Sequence, residues 1–149
     1  MSNAVEVPEE EHIRSARTES YEQLVRRLSH QSVVKNFDAY ADIAWDDPDY
    51  QVDPDDPRWE LGTNDPLGGT AWYQAQPPTV RSRIGLHTLA SFAKIGGQFE
   101  NVLTRGLLEY ALTLPNGAVE FRYAYHECIE EGQHTLMFQE FVNRTGLDI

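Results

Sequence analysis

Glu131-Gly132-Gln133-His134 places a carboxylate and an imidazole three residues apart. On a helix, positions i and i+3 share a face, so both groups can reach one ion. Glu100 lies 31 residues earlier, within Leu89, Ala93, Gly96, Leu103, Leu107 and Ala111 at helical spacing. A carboxylate inside an apolar stripe is costly unless it is paired, neutral or metal-bound. Glu127 shares the stripe of Glu131 and His134 together with Ala124, Cys128, Thr135, Phe138 and Val142. Lys94, Arg105, Glu109 and His87 fall on the other side of the first helix, and Arg122 and Glu140 on the other side of the second. Carboxylates with one imidazole suit iron, with manganese as the alternative ion. No cysteine joins the set, which argues against structural zinc or an iron–sulfur cluster. Glu9 and His12 also form an E-x-x-H, read as chance in an aperiodic tail. His30, His87 and His126 have no partner pattern and are read as non-ligands.

These residues need two long helices. The apolar periodicity predicts one from about 80 to 114 and another from about 118 to 144, the latter stopped by Gly146. Pro115-Asn116-Gly117 between them is a tight turn, which makes the helices antiparallel neighbours. The midpoint of positions 100 and 131 falls in that turn, so the two glutamates should face each other at one level, ~23 Å from it at ~1.5 Å per residue. The same register sets His134 opposite Gly97, and Gly96-Gly97 reads as room for an imidazole and an ion. Glu127 is either a further ligand or a hydrogen-bonding partner of one. Tyr110 and Tyr123 border the ligand faces, with core packing the default and a hydrogen bond to a ligand the alternative. Cys128 reads as a small core filler.

A third helix is expected over about 20–43. Ser20 with Gln23 makes a capping box, and the stripe Tyr21, Leu24, Val25, Leu28 continues through Val34, Phe37, Tyr40 and Ala41. Residues 1–17 read as a disordered acidic tail, leaving 18–149 as the folded part. Residues 46–78 carry Asp-Pro, Gly-Gly and Pro-Pro punctuation and cannot be regular. Their six aspartates over 46–56 lack the EF-hand spacing, so the loop reads as solvated and acidic, not calcium-binding. Trp45, Trp59, Trp72 and Tyr73 suggest that it packs over something.

With 149 residues the chain has room for one domain. Its net charge of −12 argues against nucleic acid and against anionic membranes as partners. Residues 1–60 hold fifteen acids and six bases, and the remainder nine and six. Charges in the second half are therefore sparse, and each needs a reason. No run of about 18 apolar residues exists, and the acidic N-terminus lacks a signal-peptide pattern. The single Cys128 excludes an intrachain disulfide and fits a reducing cytoplasm.

The segment Trp45-Asp46-Asp47-Pro48-Asp49-Tyr50, then Asp53-Pro54-Asp55-Asp56-Pro57-Arg58-Trp59, resembles the AurF-type p-aminobenzoate N-oxygenases. So do Asp65-Pro66-Leu67, Gln98-Phe99-Glu100, Pro115-Asn116-Gly117 and the block from Glu130 through Glu140. The resemblance covers most of residues 21–149. It implies an all-α, ferritin-like helical bundle and a non-haem di-iron oxygenase that uses O₂ to oxidise the nitrogen of a small arylamine, fed by an external electron donor. It carries the metal-ligand role onto Glu100, Glu131 and His134 and gives none to Glu127. The family also uses a later Glu and a later H-x-x-x-E-x-x-H. No histidine follows His134 here. The chain therefore reads as the N-terminal half of a di-iron domain, inactive alone and needing a C-terminal half. The alternative is a small ferritin-like iron-binding or ferroxidase protein that completes its di-iron site as a homodimer. A third reading is a metal-free helical interaction module.

Overall fold

The computed structural model describes residues 19–149. The tail expected over 1–17 lies outside the described residues. The described part is all-helical: α1 (Tyr21–Val34), a short α2 (Ala71–Gln74), α3 (Pro78–Thr113) and α4 (Val119–Thr145). α3 and α4 form a long antiparallel pair, consistent with a ferritin-like bundle, and α1 packs on α4. Both long helices agree with the sequence expectation to within two residues at each end. Gly146 adopts the left-handed conformation (φ 67°) that closes α4.

Along the α3–α4 seam the core is Leu86, Ala90, Ala93, Ala111, Ala124 and Val142, mostly small residues that let the backbones approach. Gly96 and Gly97 serve the same seam in a different way from the one expected. A Cβ at Gly96 would stand 3.1 Å from the Phe138 ring, and one at Gly97 3.9 Å from the Phe138 Cβ. The space left by the glycines therefore holds Phe138, not the His134 imidazole. Side-chain direction accounts for the shift, because a helical side chain leans over the turn before its own Cα.

α1 begins as expected. The Ser20 hydroxyl accepts from the Gln23 N–H (3.3 Å), and the Gln23 side chain accepts from the Ser20 N–H (2.9 Å). It stops at Val34 and does not run to Ile43. Asp38 accounts for the early stop. Its carboxylate accepts from the N–H groups of Tyr40 and Ala41, both at 2.9 Å, and so captures donors that a helix would need. These two backbone bonds hold the Asp38 carboxyl below its usual pKa. The Ala39 N–H turns instead to the Gln133 side chain on α4 (2.9 Å).

The acidic loop is built by its aspartates. Asp47 and Asp56 cap single 3₁₀ turns at Pro48–Tyr50 and Pro57–Trp59. Asp53 and Asp65 close further local turns on the N–H groups of Asp55 and Leu67. The loop is then clamped to both long helices. Arg81 and Arg83 of α3 pair with Glu60 (2.8 Å) and Asp55 (2.6 Å). The buried Tyr73 hydroxyl donates to the Arg81 carbonyl (2.9 Å) and accepts from the Leu61 N–H (2.8 Å). On α4, Arg144 donates to the Trp45 carbonyl (2.6 Å), Asp46 (3.0 Å) and Glu140 (2.7 Å), with its guanidinium 5.5 Å from the Trp45 ring centre. Trp59 stands 6.3 Å from Phe141 between ring centres. Trp72, by contrast, stays largely exposed.

Loop and helix approach closely at Gly85, where an added Cβ would collide with the Trp59 carbonyl. Both partners are backbone, so neither can rotate away. Gly85→Ala should therefore destabilise by about 1–3 kcal/mol, the cost of overpacking. Gly132→Ala, at an exposed position of α4 with nothing near its Cβ, should stabilise by about 0.5–1 kcal/mol through helix propensity. Urea titrations of the two variants test this. Equal midpoints would mean that the loop does not ride on α3 at Gly85.

Candidate metal centre

Glu100 enters from α3, and Glu131 and His134 from α4. Each offers one ligand atom, and these three atoms lie within 4.8 Å of one another. His134 Nδ1 is 2.9 Å from Glu131 Oε2 and 3.9 Å from Glu100 Oε1. The carboxylates are mostly buried, at 16 % and 12 % side-chain exposure, while the imidazole is 41 % exposed. The reason is register. Equal distance from the Pro115–Gly117 turn puts residues 100 and 131 at one level, and the E-x-x-H step brings the imidazole onto the same face.

Electrostatically this is a site with surplus negative charge. Burial pushes the Glu100 carboxyl up from its ordinary pKa. A hydrogen bond with Glu131 and repulsion from its charge push it further, while His134 pulls it down. Two carboxylates and their charge are thus held close together at low exposure, which is costly without a balancing cation. A divalent cation would supply that balance and satisfy both carboxylates and the imidazole together. The donor set of two oxygens and one nitrogen fits iron or manganese.

The other sequence candidates lie elsewhere. Glu127 is half-buried one turn before Glu131, but pairs with Tyr123 instead of joining the trio. Its carboxylate, as hydrogen-bond acceptor, is the main reason the Tyr123 phenol is pushed up to about 12. Tyr110 is ten residues from Glu100, ~15 Å along the helix. It neighbours Tyr21 at the turn end of the hairpin, and nearly half of it is exposed. Cys128 is a half-buried free thiol, donating to the Thr104 carbonyl at 3.9 Å. Burial raises its pKa, which suits a filler and not a nucleophile.

Two contributors were not visible in the sequence. The Phe37 ring packs against the His134 ring, 6.4 Å between centres and tilted by 41°. Gln133, between the two α4 ligand candidates in sequence but facing away, holds the Ala39 N–H and so fixes the segment that carries Phe37. Neither contact has a local signal, since each joins residues more than ninety positions apart. A third feature was legible in principle. Leu89, Phe92, Ile95, Phe99, Val102 and Leu103 form an apolar sector of α3 beside Glu100, and much of it is exposed. Phe138 and Val142, expected to share an uncovered ligand stripe with Leu89, Leu103 and Leu107, are turned into the α3–α4 seam instead. Val142 is 5 % exposed.

A family model described as P-aminobenzoate N-oxygenase AurF matches residues 18–149. Uncharacterized proteins of Mycobacterium bovis and Mycobacterium tuberculosis are each 47 % identical to the chain over 129 residues. That alignment takes in 87 % of this chain and 38 % of each relative, so the chain spans under two-fifths of the length of these curated relatives. No solved structure matches the chain.

The raised Glu100 pKa has a consequence for stability. A carboxyl with a higher pKa folded than unfolded penalises the folded state once it ionises, so its favourable contribution is present at low pH and lost as pH rises through the folded value. In metal-free protein, Glu100→Gln should therefore raise the thermal midpoint at pH 7. The gain should shrink as pH falls toward the ordinary glutamate value of 4.5. A gain that is independent of pH would mean that ionisation of Glu100 is not what strains the site.

Proposed function

The chain belongs to the P-aminobenzoate N-oxygenase AurF family, and on that premise we propose that it supplies one half of a di-iron oxygenase centre. Glu100, Glu131 and His134 are the proposed ligands. The convergence of their three ligand atoms within 4.8 Å supports this reading most directly. A ferritin-like di-metal centre uses a Glu from each of two helices and a Glu-x-x-His from each of two others. α3 and α4 provide one of each, so a whole site needs the same again. In the longer relatives we assign that second half to the part of their chain that this one does not span.

Iron held in such a centre supplies reductive activation of O₂, with electrons from an external donor. The chain's own residues hold and orient. Glu100 and Glu131 present two carboxylates at one level between the helices. The Glu131–His134 contact fixes one imidazole nitrogen, and the Phe37 ring limits how far that imidazole can swing. The low exposure of the two carboxylates keeps competing water from them. The proposed substrate is a small aromatic amine, in keeping with the family description, and the product is oxidised at nitrogen. Among the described residues no helix is long and apolar enough to cross a membrane. A free thiol at Cys128 is compatible with the cytoplasm, where we place the chain.

Glu100→Ala, Glu131→Ala and His134→Ala should each weaken iron binding by at least tenfold. Lys94→Ala and Glu109→Ala, whose side chains lie on the other side of α3, should leave it unchanged. Isothermal titration with Fe(II) under argon reads this directly, and iron binding that survives all three ligand changes would overturn the assignment. Arylamine oxidation should be absent with this chain alone. It should appear when the chain is combined with a separately produced C-terminal part of a full-length relative, and vanish again with His134→Ala.

A further inference from the structure

A cleft of about 250 Å³ lies between α1 and the start of α4. Its walls are Arg26 and Ser29 of α1, Gly117 and Ala118 of the turn, and Val119 and Arg122 of α4. Val119 precedes Glu131 by ~18 Å along the helix, so the cleft is separate from the metal ligands.

Ser29 is the anomaly of this cleft. It is 3 % exposed, and its hydroxyl has no hydrogen-bond partner. A buried hydroxyl left unpaired costs free energy and points to a missing partner. The usual remedy within a helix is a bond to the carbonyl four residues back. Ser32, one turn further along α1, takes it by donating to the Leu28 carbonyl (3.1 Å). Thr88 and Ser91 on α3 do the same, both at 2.8 Å. Ser29 does not, and its side chain lines the cleft.

The other walls supply donors. α4 begins without a side-chain cap, and among the described residues the Val119 and Glu120 N–H groups have no acceptor. The start of a long helix favours an anion through its dipole as well as through such free donors. Arg122 uses its Nε on His126 (3.3 Å) and has no carboxylate partner among the described residues, so both terminal nitrogens are available. Arg26 uses Nε and Nη2 on Glu22 (3.0 and 2.7 Å), which leaves Nη1. The carboxylates next to the cleft in sequence are engaged, Glu22 by Arg26 and Glu120 by the Tyr21 hydroxyl that it faces.

We propose that this cleft binds a phosphate group, either free or as the headgroup of a small organic monoester. Its donors come from two helices and from the uncapped start of one of them, not from a single plane. That arrangement suits a tetrahedral oxyanion better than a flat carboxylate. The bound group gives the Ser29 hydroxyl the acceptor that it lacks and balances two arginines in a chain of net charge −12. At the ~30 Å³ that one water takes up in the liquid, the cleft has room for more than the phosphate itself. The organic part of a monoester therefore fits beside it. Occupancy ties α1 to the turn of the α3–α4 hairpin.

The test is isothermal titration of the full, metal-free chain with inorganic phosphate and with ribose 5-phosphate. Acetate at matched ionic strength is the planar control, and thermal midpoints are read on the same samples. Both phosphates should bind one per chain and raise the midpoint, the monoester at least as tightly as the free ion. Acetate should do neither. Arg122→Gln and Ser29→Ala should each weaken phosphate binding by about tenfold, the order of a lost hydrogen bond to a charged group. Ser29→Ala should also leave the ligand-free midpoint unchanged or higher, because it removes a buried hydroxyl that has no partner. Ser82→Ala, at the other buried hydroxyl without a partner but near the start of α3, should not alter binding. Binding of only one of the two phosphates supports the site and identifies the source. No binding of either would overturn the proposal, as would binding that survives both Arg122→Gln and Ser29→Ala. A response to acetate equal to that to phosphate would also overturn it, since it would report general screening of charge.

Discussion

Two carboxylates and an imidazole meet at one level between two antiparallel helices, and most of the molecule can be read from the constraint that this imposes. Like charges cannot be gathered in a low-exposure site without something to balance them. The chain shows the strain as a Glu100 carboxyl that holds its proton above the ordinary range. Everything that fixes the register of α3 on α4 therefore fixes how close the charges come. The tight turn at Pro115–Gly117 sets the level. The small residues of the seam set the separation. Phe138, lodged on Gly96 and Gly97 about one turn beyond the ligand level, locks the sliding coordinate. A slip of one residue would rotate Glu131 by ~100° and take it off the shared face.

Around that seam the structure spends its polar groups on holding the irregular segments in place. The acidic loop is largely exposed, but it is not a featureless coil. Its aspartates accept from backbone N–H groups nearby and so set each turn. Arg81 and Arg83 of α3 and Arg144 of α4 then tie the loop to the helices. Asp38 and Gln133 do the same for the segment after α1, and their combined effect is to park Phe37 against His134. This gives the loop a role consistent with its length. It braces the end of the helix pair where α3 begins and α4 finishes, and the middle of α3 keeps an exposed apolar side.

The uncovered side links the fold to the family. A helix pair with one Glu and one Glu-x-x-His matches one half of the general ferritin-like di-metal arrangement, and the aligned stretch takes in 38 % of the length of the mycobacterial relatives. An apolar face beside the cluster of Glu100, Glu131 and His134 is coherent with both. The same surface that would be buried by a further helix pair is the one next to which that pair would deliver its ligands.

The sequence by itself determined the two long helices, their antiparallel pairing and the trio Glu100, Glu131 and His134, because these rest on local rules. Periodicity defines a helix, a Pro-Asn-Gly turn forces the chain back, and equal spacing from the turn sets the level. It also determined the capping box at Ser20 and the stop at Gly146, which are contacts within a few residues. What depended on distant partners was decided by the tertiary structure. The stripe Val34-Phe37-Tyr40-Ala41 has helical spacing, yet the Asp38 carboxylate and the Gln133 side chain compete for its backbone donors and end α1 at Val34. The Gly96-Gly97 gap was legible as a gap, but which side chain fills it depended on the lean of Phe138 across the seam. Tyr110 and Glu127 share faces with the trio by angle alone. Distance along each helix separates them, since Tyr110 is ~15 Å from Glu100 along α3 and Glu127 has Tyr123 one turn back on α4. Angle on a helix and level along the hairpin are fixed by sequence, whereas the lean of a side chain and its partner on another element are fixed only when that element is in place.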